Sequence, residues 1–350
     1  MPRVVLVTGV SRHLGVRLAA QLAADPSIER VLGVDTTPPS KADLARLGRT
    51  EFVRADIRNP LIARVIAHAN VDSVVHAAVT ATPRRAGGRT AMKELNVIGT
   101  MQLLAASQKS ETVQRLVVKS ATSVYGSSPR DPAVFAEDTP TRAAPSSGYG
   151  KDAVEVEGFV RAFGRRRPDV HVTVLRLANV IGPTIDTPLT RYFALPVVPT
   201  EFGYDPRLQF VHEDDAVEVL RLATVEEHTG VFNVSGEGTL LLSQAIRRAG
   251  RVALPVPAPA VRAVVSLVRR SGMVDFSPEQ VRFLSHGRVV DTSRLRTQFG
   301  YQPRYSTAAA FEAFLAGRPL PPVVSPERIH QAERLAAKLL GAREPMADHG

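Results

Sequence analysis

Three groups of residues in this 350-residue chain have the types and spacing for chemistry. The first is Thr8-Gly9-Val10-Ser11-Arg12-His13-Leu14-Gly15, which joins a β-branched run to an Ala/Leu-rich stretch, with Asp35 closing the next β-branched run. A strand, a glycine loop, a helix amino terminus and a terminal acid together make a site for a dinucleotide. Gly9 permits a tight turn, the first N–H groups of the helix and its positive dipole end face a pyrophosphate, and Gly15 lets the helix pack on the strand. Asp35 would accept both ribose hydroxyls and repel a 2′-phosphate, which predicts NAD. The Arg12 guanidinium is able to pair with that phosphate, which keeps NADP as the alternative. The second group, His212-Glu213-Asp214-Asp215, has metal-ligand types, but adjacent helix positions point in different directions, so a metal is not expected. The third, Ser147 and Lys151, has the i,i+4 spacing of a Ser–Lys nucleophile pair, and the flanking glycines argue against a helix that starts early enough to align them. His13 is expected to face solvent, and His76, ending a strand, to be a satisfied buried histidine.

These residues need elements to hold them. Short β-branched runs at Val4–Val7, Val31–Val34, Phe52–Val53, Val74–Val75, Leu116–Val118 and Val172–Leu175 alternate with amphipathic stretches, which predicts parallel strands buried on both faces and an α/β, doubly wound, Rossmann-type sheet. The dinucleotide-binding domain is expected over residues 1–180, completed by about 209–236, where a strand and helix fall at Phe210 to Ala223 and a further strand at Val231–Val234. Proline breaks after Asn179 set off a smaller, interleaved substrate lobe over 181–208 and 237–318, mainly helical beyond 238. Residues 319–350 form a helical extension, with an amphipathic helix at about Glu327 to Leu340.

The composition is 44% hydrophobic, with no Cys, no Trp and a formal charge of +10 from 44 Lys+Arg against 34 Asp+Glu. That apolar content supports a buried core, and the missing thiols exclude disulfides, thiolate metal sites and Cys nucleophiles. Met1 to Val10 lacks a secretory pattern and no apolar run reaches the ~20 residues of a membrane span, so a cytoplasmic chain without a transmembrane segment is expected. Nucleic-acid motifs are absent. The acid-free stretch from Gly238 to Val274 carries Arg247, Arg248, Arg251, Arg262, Arg269 and Arg270. It reads as a basic lobe that steers a phosphate-bearing small molecule or touches an anionic membrane surface peripherally.

From about residue 3 to 318 the chain resembles the extended short-chain dehydrogenase/reductase family, the NAD-dependent epimerases and dehydratases of nucleotide sugars. The resemblance is carried by the Thr8–Gly15 loop, Asp56 in Ala-Asp-Ile-Arg, His76-Ala-Ala, Asn96-Val-Ile-Gly-Thr100, Ser120…Val-Tyr-Gly126, Tyr149-Gly150, Arg176-Leu-Ala-Asn179-Val-Ile-Gly-Pro183, Val211-His212-Glu-Asp214-Asp215, Phe232-Asn233-Val234 and Asp291-Thr-Ser-Arg…Phe-Gly-Tyr-Gln-Pro303. The proline-rich segment from Leu195 to His212 is similar to that of a divergent bacterial subgroup of UDP-glucose 4-epimerase-like proteins. The resemblance implies that Asp56 and Ile57 meet the adenine, that Ala77, Ala78 and Asn96 line the dinucleotide, that Asn179 contacts a substrate nucleotide, and that Arg207 is a diphosphate ligand. It also implies that an acid of His212–Asp215 caps a helix, a homodimer through helices at about Asn96–Lys109 and Tyr149–Phe163, and a loop from Val79 to Arg89, with Arg84 and Arg85, over the nicotinamide or sugar.

By the same resemblance Tyr149 is the catalytic acid/base, taking a proton from a sugar hydroxyl as hydride moves to the nicotinamide. A free phenol titrates near pH 10, so work at neutrality needs a downward shift of roughly three units, about 4 kcal/mol. The family draws it from the nicotinamide charge and a Lys one helical turn on, where this chain has Ala153. Lys151, at i+2, lies ~200° round the helix and faces elsewhere. The helper hydroxyl falls at Ala121, so Ser120 or Thr122 is expected to replace it. The middle glycine of the family loop is Arg12. Three functions follow from these matches and departures: a nucleotide-sugar epimerase or dehydratase using transient oxidation, a dinucleotide-binding sensor or scaffold that has lost the chemistry, and a reductase of a non-sugar carbonyl.

Overall fold

Short, largely buried apolar runs build the centre of the molecule: the five residues of β1 (Val4–Thr8) are all buried. A computed structural model describes residues 4–81, 87–140, 145, 147–260, 277–318 and 320. In chain order, β1 is followed by α1 (His13–Ala24), β2 (Arg30–Asp35), α2 (Lys41–Arg46), β3 (Glu51–Arg54), α3 (Ile62–His68), β4 (Ser73–His76), α4 (Arg89–Lys93), a π-type turn (Glu94–Ile98), α5 (Gly99–Lys109) and β5 (Arg115–Ala121). Then come α6 (Gly148–Arg166), β6 (His171–Leu177), β7 (Asn179–Ile181), α7 (Pro188–Ala194), β8 (Val197–Glu201), β9 (Arg207–Leu208), β10 (Phe210–His212), α8 (Glu213–Val225), β11 (Gly230–Val234), β12 (Leu240–Leu241), α9 (Leu242–Arg248) and β13 (Val252–Val256). The last described helices are α10 (Pro278–His286), α11 (Ser293–Thr297) and α12 (Thr307–Gly317).

The central sheet has seven strands in the order β11-β6-β5-β4-β1-β2-β3, and every pairing is parallel. The order reverses between β1 and β4, so the carboxyl ends of these strands open a crevice for a ligand. One face is covered by α1 and α8 through Val16, Leu18, Val217 and Leu220, the other by α3, α5 and α6 through Ile66, Leu103, Val156 and Val160. A further apolar cluster joins α7, β8, β10, α9, α10 and α12 around Phe193, Phe210, Phe283 and Phe311.

Beyond residue 238 the described elements are mostly helices, joined by one strand longer than two residues. Val252–Val256 is a strand, paired parallel with Val197–Glu201. Pro199 and Pro255 are tolerated because a two-stranded ribbon is all edge, and a missing N–H there breaks no inner ladder. Arg262, Arg269, Arg270, Arg84, Arg85 and the helix expected at Glu327 to Leu340 lie outside the described residues.

Candidate active site

The β1–α1 turn is built by close backbone approach. Gly9 has φ +75, and a Cβ there would stand 2.7 Å from the Ala78 Cα; a Cβ on Gly15 would stand 2.1 Å from the Gly9 carbonyl oxygen. No side chain fits at either point, so the helix start and the Ala77–Ala78 backbone are held against the turn. His13, Leu14 and Gly15 are the first residues of α1, and their N–H groups have no partner within the helix. Asp35, at the end of β2, accepts the Ser11 N–H (3.2 Å) and the Thr36 N–H (2.8 Å). Backbone donors, a positive helix end and a ribose-height carboxylate fit a dinucleotide.

Other expected cofactor residues have internal partners. Asp56 accepts the Arg58 guanidinium at 2.7 and 3.0 Å, and Arg58 reaches Glu94 at 3.0 Å. Ile57 is buried in the core and packs where Gly99 leaves room. Asn96 is buried and exchanges both amide bonds with the Thr80 backbone (2.9 Å each), donating as well to Asp152 at 3.2 Å. Its geometry is that of a clamp on the loop after β4. His76, buried between the hydroxyls of Thr8 (2.9 Å) and Thr100 (2.8 Å), is pulled down to about 3 by burial and by the Lys119 and Arg12 charges, so it stays neutral.

His13 corrects an expectation: it pairs with Glu213 at 2.6 Å, and only a quarter of its side chain is exposed. Burial works to raise the Glu213 carboxyl, but the bonds from His13 and Thr184 outweigh it and hold it down at about 2. The cap of α8 is another correction. The His212 imidazole accepts the Asp214 N–H, whereas Asp215 accepts the Tyr301 hydroxyl and the Arg304 and Tyr305 N–H groups. Among the described residues no cluster of His and acid residues has metal-site geometry.

From the loop a cavity of about 240 Å³ runs toward the smaller cluster. Its walls include Arg12, Lys119, Thr122, Tyr149, Asn179 and Arg288. Thr122 and Asn179 therefore line the same cavity as Tyr149. Ser120 also borders the cavity, but its hydroxyl donates to Glu157 at 2.7 Å, because alternate residues of β5 face opposite sides and Ser120 is turned toward α6. Arg207 is exposed outside the cavity and donates to the Ala133 carbonyl at 2.8 Å. The buried arginine in the wall is Arg288, which donates to the Gly126 carbonyl (2.6 Å) and the Ser127 hydroxyl (3.0 Å); burial pulls it down to about 10, still protonated at neutrality.

Tyr149 sits in the first turn of α6. Burial, then the carboxylates of Glu279, Asp152 and Glu157, push its hydroxyl above the ordinary phenol value, opposite to the shift a general base needs. Ala153 packs with Val124, Tyr125, Phe135 and Val290, so an apolar cluster fills the place of the expected ammonium; Lys151 is exposed. Glu279 of α10 accepts the Gly150 N–H at 2.7 Å, closing the amino terminus of α6. Behind Tyr149, Arg176 and Glu157 form a buried pair (2.6 and 2.9 Å), extended by Tyr125 to Asn233.

Lys119 and the α10 pair of Glu279 and Phe283 escaped the sequence reading. Lys119 carried a signal, two residues before Ala121 and so on the same face of β5. Glu279 and Phe283 lie 126 or more residues along the chain from Ala153 and carry none.

The profile of the NAD dependent epimerase/dehydratase family matches residues 5–235. An uncharacterized protein of Mycobacterium tuberculosis is 52% identical over 348 residues, covering 99% of this chain and 93% of the relative. A UDP-glucose 4-epimerase of Yersinia pestis is 32% identical over 190 residues, covering 51% of this chain and 53% of its own. Among solved structures, a UDP-glucose 4-epimerase of Stenotrophomonas maltophila with bound NAD and formylated UDP-arabinopyranose superposes with TM-score 0.70 at 19% identity, covering 94% of this chain and 99% of that one. A dTDP-glucose 4,6-dehydratase of Streptomyces venezuelae with NAD bound gives TM-score 0.68 at 24% identity, covering 92% and 99%.

Proposed function

The chain belongs to the NAD dependent epimerase/dehydratase family, and from that membership we propose that it is an NAD-dependent enzyme of a nucleotide sugar, acting by transient oxidation of a sugar hydroxyl. The observation that carries this reading is the single cavity lined jointly by the loop residues Arg12 to Gly15 and by Glu279, Gln280 and Phe283 of α10. A dinucleotide on the loop and a substrate held by α10 would meet there. NAD, when bound, supplies the hydride acceptor. Asp35 favours it over NADP because a carboxylate repels a 2′-phosphate. Asn179 and Arg288 offer an amide and a buried cation to a nucleotide diphosphate. Tyr149, held as a neutral phenol, donates a hydrogen bond to a substrate oxygen. The nucleotide-sugar enzymes that share the fold support the substrate class. Calorimetry with NAD and NADP, then incubation with UDP-glucose, UDP-galactose and other nucleotide sugars followed by NMR, tests the reading. Tighter NAD binding and conversion of at least one sugar are expected; no conversion across the panel removes it.

A second reading, a dinucleotide-binding protein without turnover, is favoured by the raised Tyr149 hydroxyl and the apolar packing of Ala153. Tight NAD binding with no conversion is its signature. The homodimer is proposed on Ile98 and Met101, apolar residues 44% and 46% exposed along the π-type turn and α5, with sedimentation as the test. No helix among the described residues is long and apolar enough to cross a membrane.

A further inference from the structure

Tyr149 leaves the proposed oxidation without a group to receive a proton. The alternation of β5 supplies another. Leu116 and Val118 pack with Val156 and Val160 of α6, and Ser120 bonds Glu157 on the same side. Val117, Lys119 and Ala121 face the other way, toward α1 and α8, where Val117 joins the apolar cluster. Ala121 stands where the resemblance puts the helper hydroxyl. Lys119 stands one pleat deeper on the same face, about 7 Å back along the strand. The methyl of Ala121 is the smallest side chain that could flank a four-carbon stem reaching forward, and Lys119 lines the cavity together with Arg12 and Tyr149.

We propose that Lys119 is the acid/base of the cavity, taking the proton of the substrate hydroxyl and later returning it, while Tyr149 orients that hydroxyl. The proposal rests on the NAD-dependent reading above. The substrate O–H bond breaks with its proton passing to the Nζ lone pair. The C–H hydrogen on the same carbon leaves as hydride to the oxidised nicotinamide of NAD, and C=O forms. The substrate is oxidised and the nicotinamide reduced, and the reverse step restores both.

The surroundings suit that task. Lys119 makes no hydrogen bond or ion pair with any described residue, and the charged group that acts on it is Arg12, from the loop before α1. His76, from β4, is neutral and held by Thr8 and Thr100. Across the cavity Tyr149 of α6 faces Glu279 of α10, and Arg288 lies in the same wall. Burial and the like charge of Arg12 bring the Lys119 amine down to about 7, where base and acid forms coexist at neutral pH.

The test uses the full-length protein and two readouts. In competitive acylation followed by peptide mass spectrometry across pH, Lys119 should label with a midpoint near 7, about three units below an ordinary lysine amine. Arg12→Gln removes the like charge and should raise the Lys119 midpoint by about one unit. With a sugar the wild type converts, Lys119→Met should lower kcat/KM by roughly 10²–10⁴-fold and abolish the rise in rate through pH 7, with NAD affinity retained; Tyr149→Phe should keep that rise. A Lys119 midpoint near 10 overturns the proposal, as does an active Lys119→Met within about threefold of wild type with the same pH profile. That last result leaves the NAD-dependent reading standing. A wild type that converts no sugar removes the reading and the proposal together.

Discussion

At the loop end of the cavity, Gly9, Gly15 and Asp35 fall within one strand–turn–helix–strand unit, and their placement is set by contacts among neighbours in the chain. At the far end, Lys119, Tyr149 and Glu279 come from β5, α6 and α10, and their task depends on the charges each meets there. The loop keeps its two close-packed glycines and accommodates a changed middle position by turning Arg12 into the cavity wall. The far end has replaced the expected ammonium with apolar packing and surrounded its tyrosine with carboxylates. Binding geometry and proton chemistry in one cleft can therefore diverge separately, because a backbone cradle tolerates changes that an electrostatic site does not.

The sharpest break between the two ends should come from Gly15→Val. Its Cβ would stand 2.1 Å from the Gly9 carbonyl oxygen, so the helix must move off the turn. NAD affinity by calorimetry should fall at least ~100-fold, about 2.7 kcal/mol at the site, with further loss of fold stability. Near-native affinity would show that the turn is not the cofactor cradle.

At the other end, Arg176→Met strands Glu157 without its buried partner, and urea unfolding should show a loss of about 3–5 kcal/mol. Adding Glu157→Gln should recover much of it, since the penalty is that of an unpaired buried charge. If the single variant is as stable as wild type, the pair is solvated and cannot order the wall behind Tyr149.

The bond between the starts of α1 and α8, His13 to Glu213, adds a pH signature. The folded Glu213 carboxyl, at about 2, lies below its unfolded value near 4.5, so its contribution, roughly 3 kcal/mol, is full above pH 4.5 and lost as pH falls toward 2. Glu213→Gln should narrow the stability difference between pH 6 and pH 3 in chemical denaturation. An unchanged difference assigns the acid sensitivity to other carboxylates.

The smallest effect is expected from Ala153→Lys, which puts back the family ammonium. Forcing that stem among Val124, Tyr125, Phe135 and Val290 should destabilise by about 1–3 kcal/mol, read as a lower Tm. An unchanged Tm would mean that the stem reaches the cavity without disturbing the cluster.

Much of this molecule was legible in its residues. Buried β-branched runs with helical stretches between them determined the parallel sheet, and the glycines of the Thr8–Gly15 loop determined a tight turn into a helix start, because both depend on contacts among neighbours in the chain. The same local logic showed that Ala153 and Ala121 lack the expected groups. It misplaced His13 and Arg207, whose partners Glu213 and Ala133 are 200 and 74 residues away. Only the tertiary structure decided that Asn96 would clamp a loop, that Ser120 would turn to Glu157, and that Lys119 would share a cavity with Arg12 without an ion pair to any described carboxylate. The physical reason is that a side chain's charge state and partners are set by burial and long-range charge, which the fold assembles from segments whose order in the sequence carries no trace of their meeting.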